Sequence, residues 1–100
     1  MKIKFDGRTY DTHNATLLSA CNNGFCPMDE RYFEERLYQK PDGEYFVYGY
    51  GGSMSIYAKR EGVRMVGSVG MSPAPLEKAK WWARHHMTAD AYIKHFGALN

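Results

Sequence analysis

The chain has 100 residues, 44% of them apolar and 15% aromatic, with eight tyrosines. That is enough for one core, too short for an enzyme with a separate substrate domain, and too apolar for a disordered chain. Its formal charge of +2 divides unevenly: residues 1–50 carry six Lys/Arg against eight Asp/Glu, and residues 51–100 carry seven against three, a basic half that is modest beside dedicated nucleic-acid binders.

No apolar run approaches the ~20 residues of a membrane span, and the opening MKIKFDGRTYD lacks the apolar core of a signal peptide. A cytoplasmic protein is therefore expected, with no membrane partner and with Cys21 and Cys26 as reduced thiols. In chain order, Lys2-Ile3-Lys4-Phe5, Asp6-Gly7 and Arg8-Thr9-Tyr10 read as a hairpin around a favoured two-residue turn. Thr16 to Cys21 suits a third strand, stopped by Asn22-Asn23-Gly24, whose residues tolerate positive φ. Residues 31–40, Pro41-Asp42-Gly43 and Glu44 to Tyr48 read as a long antiparallel hairpin. A helix over residues 29–37, capped by Asp29, is the alternative for the first arm.

After the glycine-rich stretch Tyr48-Gly49-Tyr50-Gly51-Gly52-Ser53, the spacing of Met54, Tyr57 and Ala58 predicts one or two helical turns before Gly62. Val63 to Val69 has strand composition. From Leu76 to Met87 the period changes, with Leu76, Ala79, Ala83 and Met87 on one stripe and Trp82 and His86 at its edge. Pro75 fits the first helical turn. A second helix is predicted with Thr88 as its cap, Ala89, Tyr92, Ile93 and Phe96 on one face, and Gly97 at its end. The expected fold is a single α+β domain over residues 1–100, an antiparallel sheet of about five strands with a C-terminal pair of helices packed on one face.

The order Tyr10-Asp11-Thr12, Asn23-Gly24-Phe25, Asp29, Tyr32, Glu34-Glu35, Leu37-Tyr38, Gly43-Glu44-Tyr45-Phe46, Gly49, Gly51-Gly52, Met54-Ser55, Tyr57-Ala58, Ala79, Trp82-Ala83 and His86 resembles a family of small uncharacterised proteins. Members of that family are carried on phages, plasmids and integrative elements of gut bacteria. The likeness spans nearly the whole chain and is densest from residue 23 to residue 58. It implies an accessory role in host takeover or anti-defence, including anti-CRISPR-like inhibition. Two features depart from the family pattern. Ala74-Pro75 stands where a Ser/Thr cap is expected, and Lys78, Lys80 and Arg84 occupy a helix that is acidic in the family. Cys21 and Cys26 lie outside the pattern as well.

Among chemistry-bearing motifs, the glycine-rich stretch has neither the Lys-Ser/Thr of a phosphate loop nor a parallel setting. A weaker reading makes Tyr48, Tyr50, Gly51, Gly52 and Ser53 an anion or ligand loop, with Ser53 capping a helix from Met54. The opposing reading is that the glycines end the strand, permit a bulge and turn the chain. Cys21 and Cys26 with His85, His86 and His95 do not make a convincing zinc set: the cysteine spacing is loose, and adjacent histidines on one helix diverge by about 100°. No metal and no cofactor are expected. Glu34 and Glu35 point to opposite sides of a strand, and no catalytic triad is recognisable, so the protein is read as a non-enzyme.

Lys78, Trp81, Arg84 and His85 fall together opposite the predicted apolar stripe. Trp with Arg is enriched at binding hot spots, and this group is the predicted partner-binding site, acting by occlusion of a host protein or protein complex. The alternative is that Trp81 is covered by a strand, by the chain's end or by a dimer mate, the oligomeric state being open. Two further readings are a nucleic-acid-binding module using the same basic-aromatic face and a nucleotide-signal sponge using the glycine-rich loop. Tyr48 and Tyr50 share a sheet face, expected to be the one that the helices cover.

Overall fold

Asp6 and Gly7 both take positive φ, 51° and 76°, as a type I′ turn demands. They join β1 (Lys2–Phe5) to β2 (Arg8–Asp11) in the predicted hairpin. In the computed structural model, which describes residues 1–97, this pair is a small sheet of its own. The domain expected over residues 1–100 includes residues 98–100, which lie outside the described residues.

The Pro41-Asp42-Gly43 turn works as its composition predicts. Gly43 takes φ 93° and the Asp42 carboxylate accepts from the Glu44 amide at 2.9 Å, so β4 (Phe33–Gln39) returns as β5 (Tyr45–Gly51). β3 (Thr16–Asn22) pairs with β4 on one side, with a register shift between Leu17 and Ser19. The chain leaves β5 through a short exposed hairpin of β6 (Lys59–Glu61) and β7 (Arg64–Val66), then re-enters as β8 (Ser68–Ala74) beside β5. The main sheet is thus antiparallel with the order β3-β4-β5-β8, and Pro73 is tolerated because β8 is an edge strand.

The fold is α+β as expected, but its strands are divided between one four-stranded sheet and two hairpins. The first arm of the long hairpin is the strand that the Pro-Asp-Gly turn favours, not the alternative helix over residues 29–37; turns closed from Asp29 to Cys26 and from Tyr32 to Asp29 lead into β4. Two local expectations are corrected. Residues 54–58 make successive turns in place of a short helix. The Val63 to Val69 run is shared between β7 and β8.

α1 (Leu76–His86) starts at Pro75 with no side-chain cap, and α2 (Ala89–Phe96) starts at Thr88, whose hydroxyl accepts from the Ala91 amide at 3.2 Å. Glu77 in the first turn of α1 and Arg84, His85 and His86 in its last turn complement the helix dipole. Gly97, at φ 92°, ends α2. The buried stripe of α1 is Ala79, Trp82 and Ala83, while Leu76 is half exposed. Two alanines let the helix approach the sheet, and the Trp82 ring fills the remaining volume against Leu37, Val47, Ala74 and Tyr92. Trp82, placed at the edge of the predicted stripe, is at its centre.

The other sheet face has its own core, where Tyr38 stacks on Phe46 at 5.2 Å and Tyr10 meets Phe46 edge-on at 5.5 Å. Tyr48 and Tyr50 lie on this side, half buried, their rings 6.3 Å apart. The helices cover the opposite face, so the expectation that they bury these two tyrosines is overturned. Strand alternation puts Tyr48 and Tyr50 with Phe46, while Val47, between Phe46 and Tyr48, packs in the core of Trp82.

The β1–β2 hairpin is tied to the sheet through Glu44. Its carboxylate accepts from the Tyr10 hydroxyl, from Lys40 Nζ at 3.1 Å and pairs with Arg8 at 3.3 Å. The Tyr10 hydrogen bond, then Lys40 and Arg8, hold Glu44 below the usual carboxylate range. A depressed folded pKa means that this stabilisation is present above the ordinary carboxylate pKa and is lost as pH falls through the folded value. Urea unfolding from neutral to acid pH is expected to show a loss of about 1–2 kcal/mol from this group. That part of the pH dependence should vanish in Glu44→Gln; an unchanged profile would show that the hairpin is held otherwise.

Candidate functional site

A row of register partners crosses the sheet from Cys21 in β3 through Glu35 in β4 and Gly49 in β5 to Gly70 in β8. The two glycines leave a gap over the sheet, and the Tyr57 ring occupies it: a Cβ at Gly49 would fall inside that ring, and one at Gly70 would lie 3.2 Å from it. The Tyr57 hydroxyl thereby reaches Glu35 and donates to Oε2 at 2.5 Å, while Trp82 Nε1 donates to Oε1 at 3.3 Å. Burial, then the Glu35 carboxylate, push the Tyr57 hydroxyl well above the usual tyrosine range, so it stays a donor at neutral pH. Burial, then Glu35, likewise push the Cys21 thiol up.

Glu35 is the hub of this arrangement. It sits on the same side of β4 as the fully buried Leu37, a position where a strand facing a core is ordinarily apolar. His86 closes the cluster from the last turn of α1, one helical turn beyond Trp82, with the two rings 4.8 Å apart. Cys21 Sγ, a Glu35 carboxylate oxygen and a His86 ring nitrogen all lie within 4.8 Å of one another. Cys26 is exposed and belongs to no such group among the described residues.

Beside the hub, a groove of about 350 Å³ separates α1 from β5 and β8. Glu35, Val47 and Tyr57 line its sheet side, and Lys78, Trp81 and Trp82 line its helix side. Of the predicted partner-binding residues, Lys78, Trp81, Arg84 and His85 are all exposed on α1. Trp81 is 54% accessible and stacks on His85 at 4.2 Å, whose Nδ1 lies 2.7 Å from the Trp81 carbonyl oxygen. Lys78 Nζ reaches across the groove and donates to the Ser72 hydroxyl at 2.8 Å. Lys78 and Trp81 therefore border the groove together, with Arg84 and His85 on the ridge outside it.

The predicted loop residues are organised differently. Ser53 caps no helix, because the chain turns inward to seat Tyr57. The amides of Gly52, Met54 and Ser55 donate to the carbonyls of Tyr32, Glu30 and Gly52. Gly51 and Gly52 are required by close approach, since a Cβ on either would meet the backbone of Tyr32 or Glu30. Tyr50 borders Glu34, whose hydrogen bond, followed by burial, pushes its hydroxyl up to about 12, and Arg36 lies 6.0 Å over its ring.

Sequence reasoning missed Glu35, Tyr57 and Trp82 as one unit. A signal was present: strand alternation puts Glu35 on the Leu37 side of β4, and a carboxylate there calls for buried donors. No helix among the described residues is long and apolar enough to cross a membrane. Comparison with protein-family models, with curated proteins and with solved structures returns no match to this chain.

Proposed function

We propose that this is a small non-enzymatic binding protein whose recognition surface is the outer ridge of α1 with the adjoining groove. The proposed partner is a host protein or complex presenting an acidic segment with an apolar anchor residue. The observation that carries the reading is the half-exposed Trp81 at the border of the groove, with Lys78, Arg84 and His85 around it. Large aromatics are mostly buried, and an indole already held by stacking loses little rotamer freedom when a partner covers it. Glu77 is the one carboxylate of α1, so the ridge complements negative charge.

The likeness to proteins of phages and mobile elements supplies a setting for this activity: occlusion of a host defence component, of the anti-CRISPR kind, in the bacterial cytoplasm. The same ridge could stack on a base and neutralise phosphates; nucleic acid is then the partner, and binding falls steeply with added salt. The nucleotide-sponge reading draws no support from the glycine-rich loop, where the amides of Gly52, Met54 and Ser55 are committed to carbonyls of the chain.

Trp81→Ala is expected to weaken partner binding by more than about 2 kcal/mol with folding nearly unchanged. Affinity capture from host lysate, with wild type and variant side by side and at two salt concentrations, checks this. Equal capture by both proteins overturns the proposal, and capture abolished by nuclease transfers the ridge to nucleic acid.

A further inference from the structure

The cluster beneath the C-terminal turn of α1 has a composition that neither the groove nor the ridge uses. Cys21 Sγ, a Glu35 carboxylate oxygen and a His86 nitrogen lie within 4.8 Å of one another, each delivered by a different element. Cys21 and Glu35 are cross-strand partners, and His86 comes down from the helix onto the same spot. We infer that these three side chains form a binding site for one zinc-class divalent ion, with a fourth coordination position left for water or an incoming ligand.

Three lines of chemistry support this assignment. Thiolate, imidazole and carboxylate together suit a borderline-soft ion such as Zn²⁺, and are a poor set for Mg²⁺ or Ca²⁺, which demand oxygen. The spacing fits as well: ligand atoms at ~2.0–2.3 Å from a tetrahedral ion lie roughly 3.3–3.8 Å apart. The three ligand atoms, all within 4.8 Å of one another, are at most about an ångström beyond that range, and the exposed His86 ring is free to rotate. The outer shell is in place, because Tyr57 and Trp82 each donate to one Glu35 oxygen. A carboxylate has about four lone-pair sites, so both oxygens keep capacity for an ion while the two donors fix their direction, as donors around metal ligands ordinarily do.

The site meets the groove only at Glu35, since neither Cys21 nor His86 borders it, and the inference does not rest on the proposed ridge function. Its test uses the full chain, reduced and stripped with chelator, and Co²⁺ as a spectroscopic probe for Zn²⁺. One equivalent of Co²⁺ is expected to give tetrahedral visible bands together with a thiolate-to-metal charge-transfer band, all bleached by Zn²⁺ and unaffected by excess Mg²⁺. Cys21→Ser should abolish the charge-transfer band, and His86→Ala, at an exposed position, should weaken Zn²⁺ binding at least tenfold with the far-ultraviolet circular dichroism unchanged. Cys26→Ser should change neither, and Zn²⁺ should slow alkylation of Cys21 while leaving Cys26 reactive. Absence of cobalt bands and of retained zinc in the wild type overturns the site. So does binding that persists undiminished in His86→Ala, or that depends on Cys26.

Discussion

Trp82→Ala should destabilise the protein by about 3–5 kcal/mol, while the same substitution at Trp81 should lie within about 0.5 kcal/mol of wild type. The two residues are neighbours in sequence and differ in environment: Trp82 is 4% accessible between α1 and the sheet, and Trp81 is 54% accessible. Truncating Trp82 leaves a cavity beside Leu37 and Val47 and removes one of the two donors that hold Glu35. Against a typical stability of about 5–15 kcal/mol for a folded domain, such a loss leaves little margin. Urea denaturation followed by far-ultraviolet circular dichroism avoids reliance on the altered fluorophores. Trp82→Phe separates the contributions: it keeps most of the ring volume and should lose about 1–3 kcal/mol for the missing N–H donor to a carboxylate. Equal losses at positions 81 and 82 would mean that the helix is rotated from the orientation described.

Gly49→Ala should destabilise by about 1–3 kcal/mol or more, although alanine is ordinarily at least as acceptable as glycine in a strand. The added methyl would fall inside the Tyr57 ring, so the ring must leave its seat and its hydroxyl must leave Glu35. The diagnostic result is non-additivity. In a Tyr57→Ala background the seat is already empty, and adding Gly49→Ala should then be close to neutral, a coupling of about 1–3 kcal/mol. A methyl that costs the same with and without the ring would show that Gly49 answers to backbone conformation, not to packing.

What was legible in the sequence was what is decided locally. Asp6-Gly7 and Pro41-Asp42-Gly43 fix two turns by their own φ preferences, and Thr88 and Gly97 bracket α2 by capping. The α+β architecture followed from a change of period near Pro75. The β6–β7 hairpin was hidden because its strands, Lys59-Arg60-Glu61 and Arg64-Met65-Val66, are short and mostly exposed, and so carry no burial pattern. Trp82 was misplaced because a stripe drawn through Leu76 and Met87 weighs every apolar residue alike, whereas the sheet accepts the two alanines and the indole. The Cys21, Glu35, Tyr57 and His86 cluster depends on register between strands and on the seat of one ring, neither of which periodicity encodes. Exposure of the Lys78, Trp81, Arg84 and His85 ridge was legible from helical spacing; what docks on it belongs to a second molecule.

The segment between β5 and β8 leaves the sheet at Gly51 and returns at Ser68, and these two residues are register partners. Its ends are therefore clamped by a backbone ladder independently of its own contacts, and Tyr57 pins its near side to the sheet. Beyond that pin, residues 59–66 touch little except each other. Lengthening a loop whose base is already closed adds only a logarithmic entropic term, so this arm is the place where the molecule can change its outline cheaply. New reach, charge or a fused module could be grafted at Gly62-Val63 while the sheet, the ridge and the carboxylate hub keep their geometry.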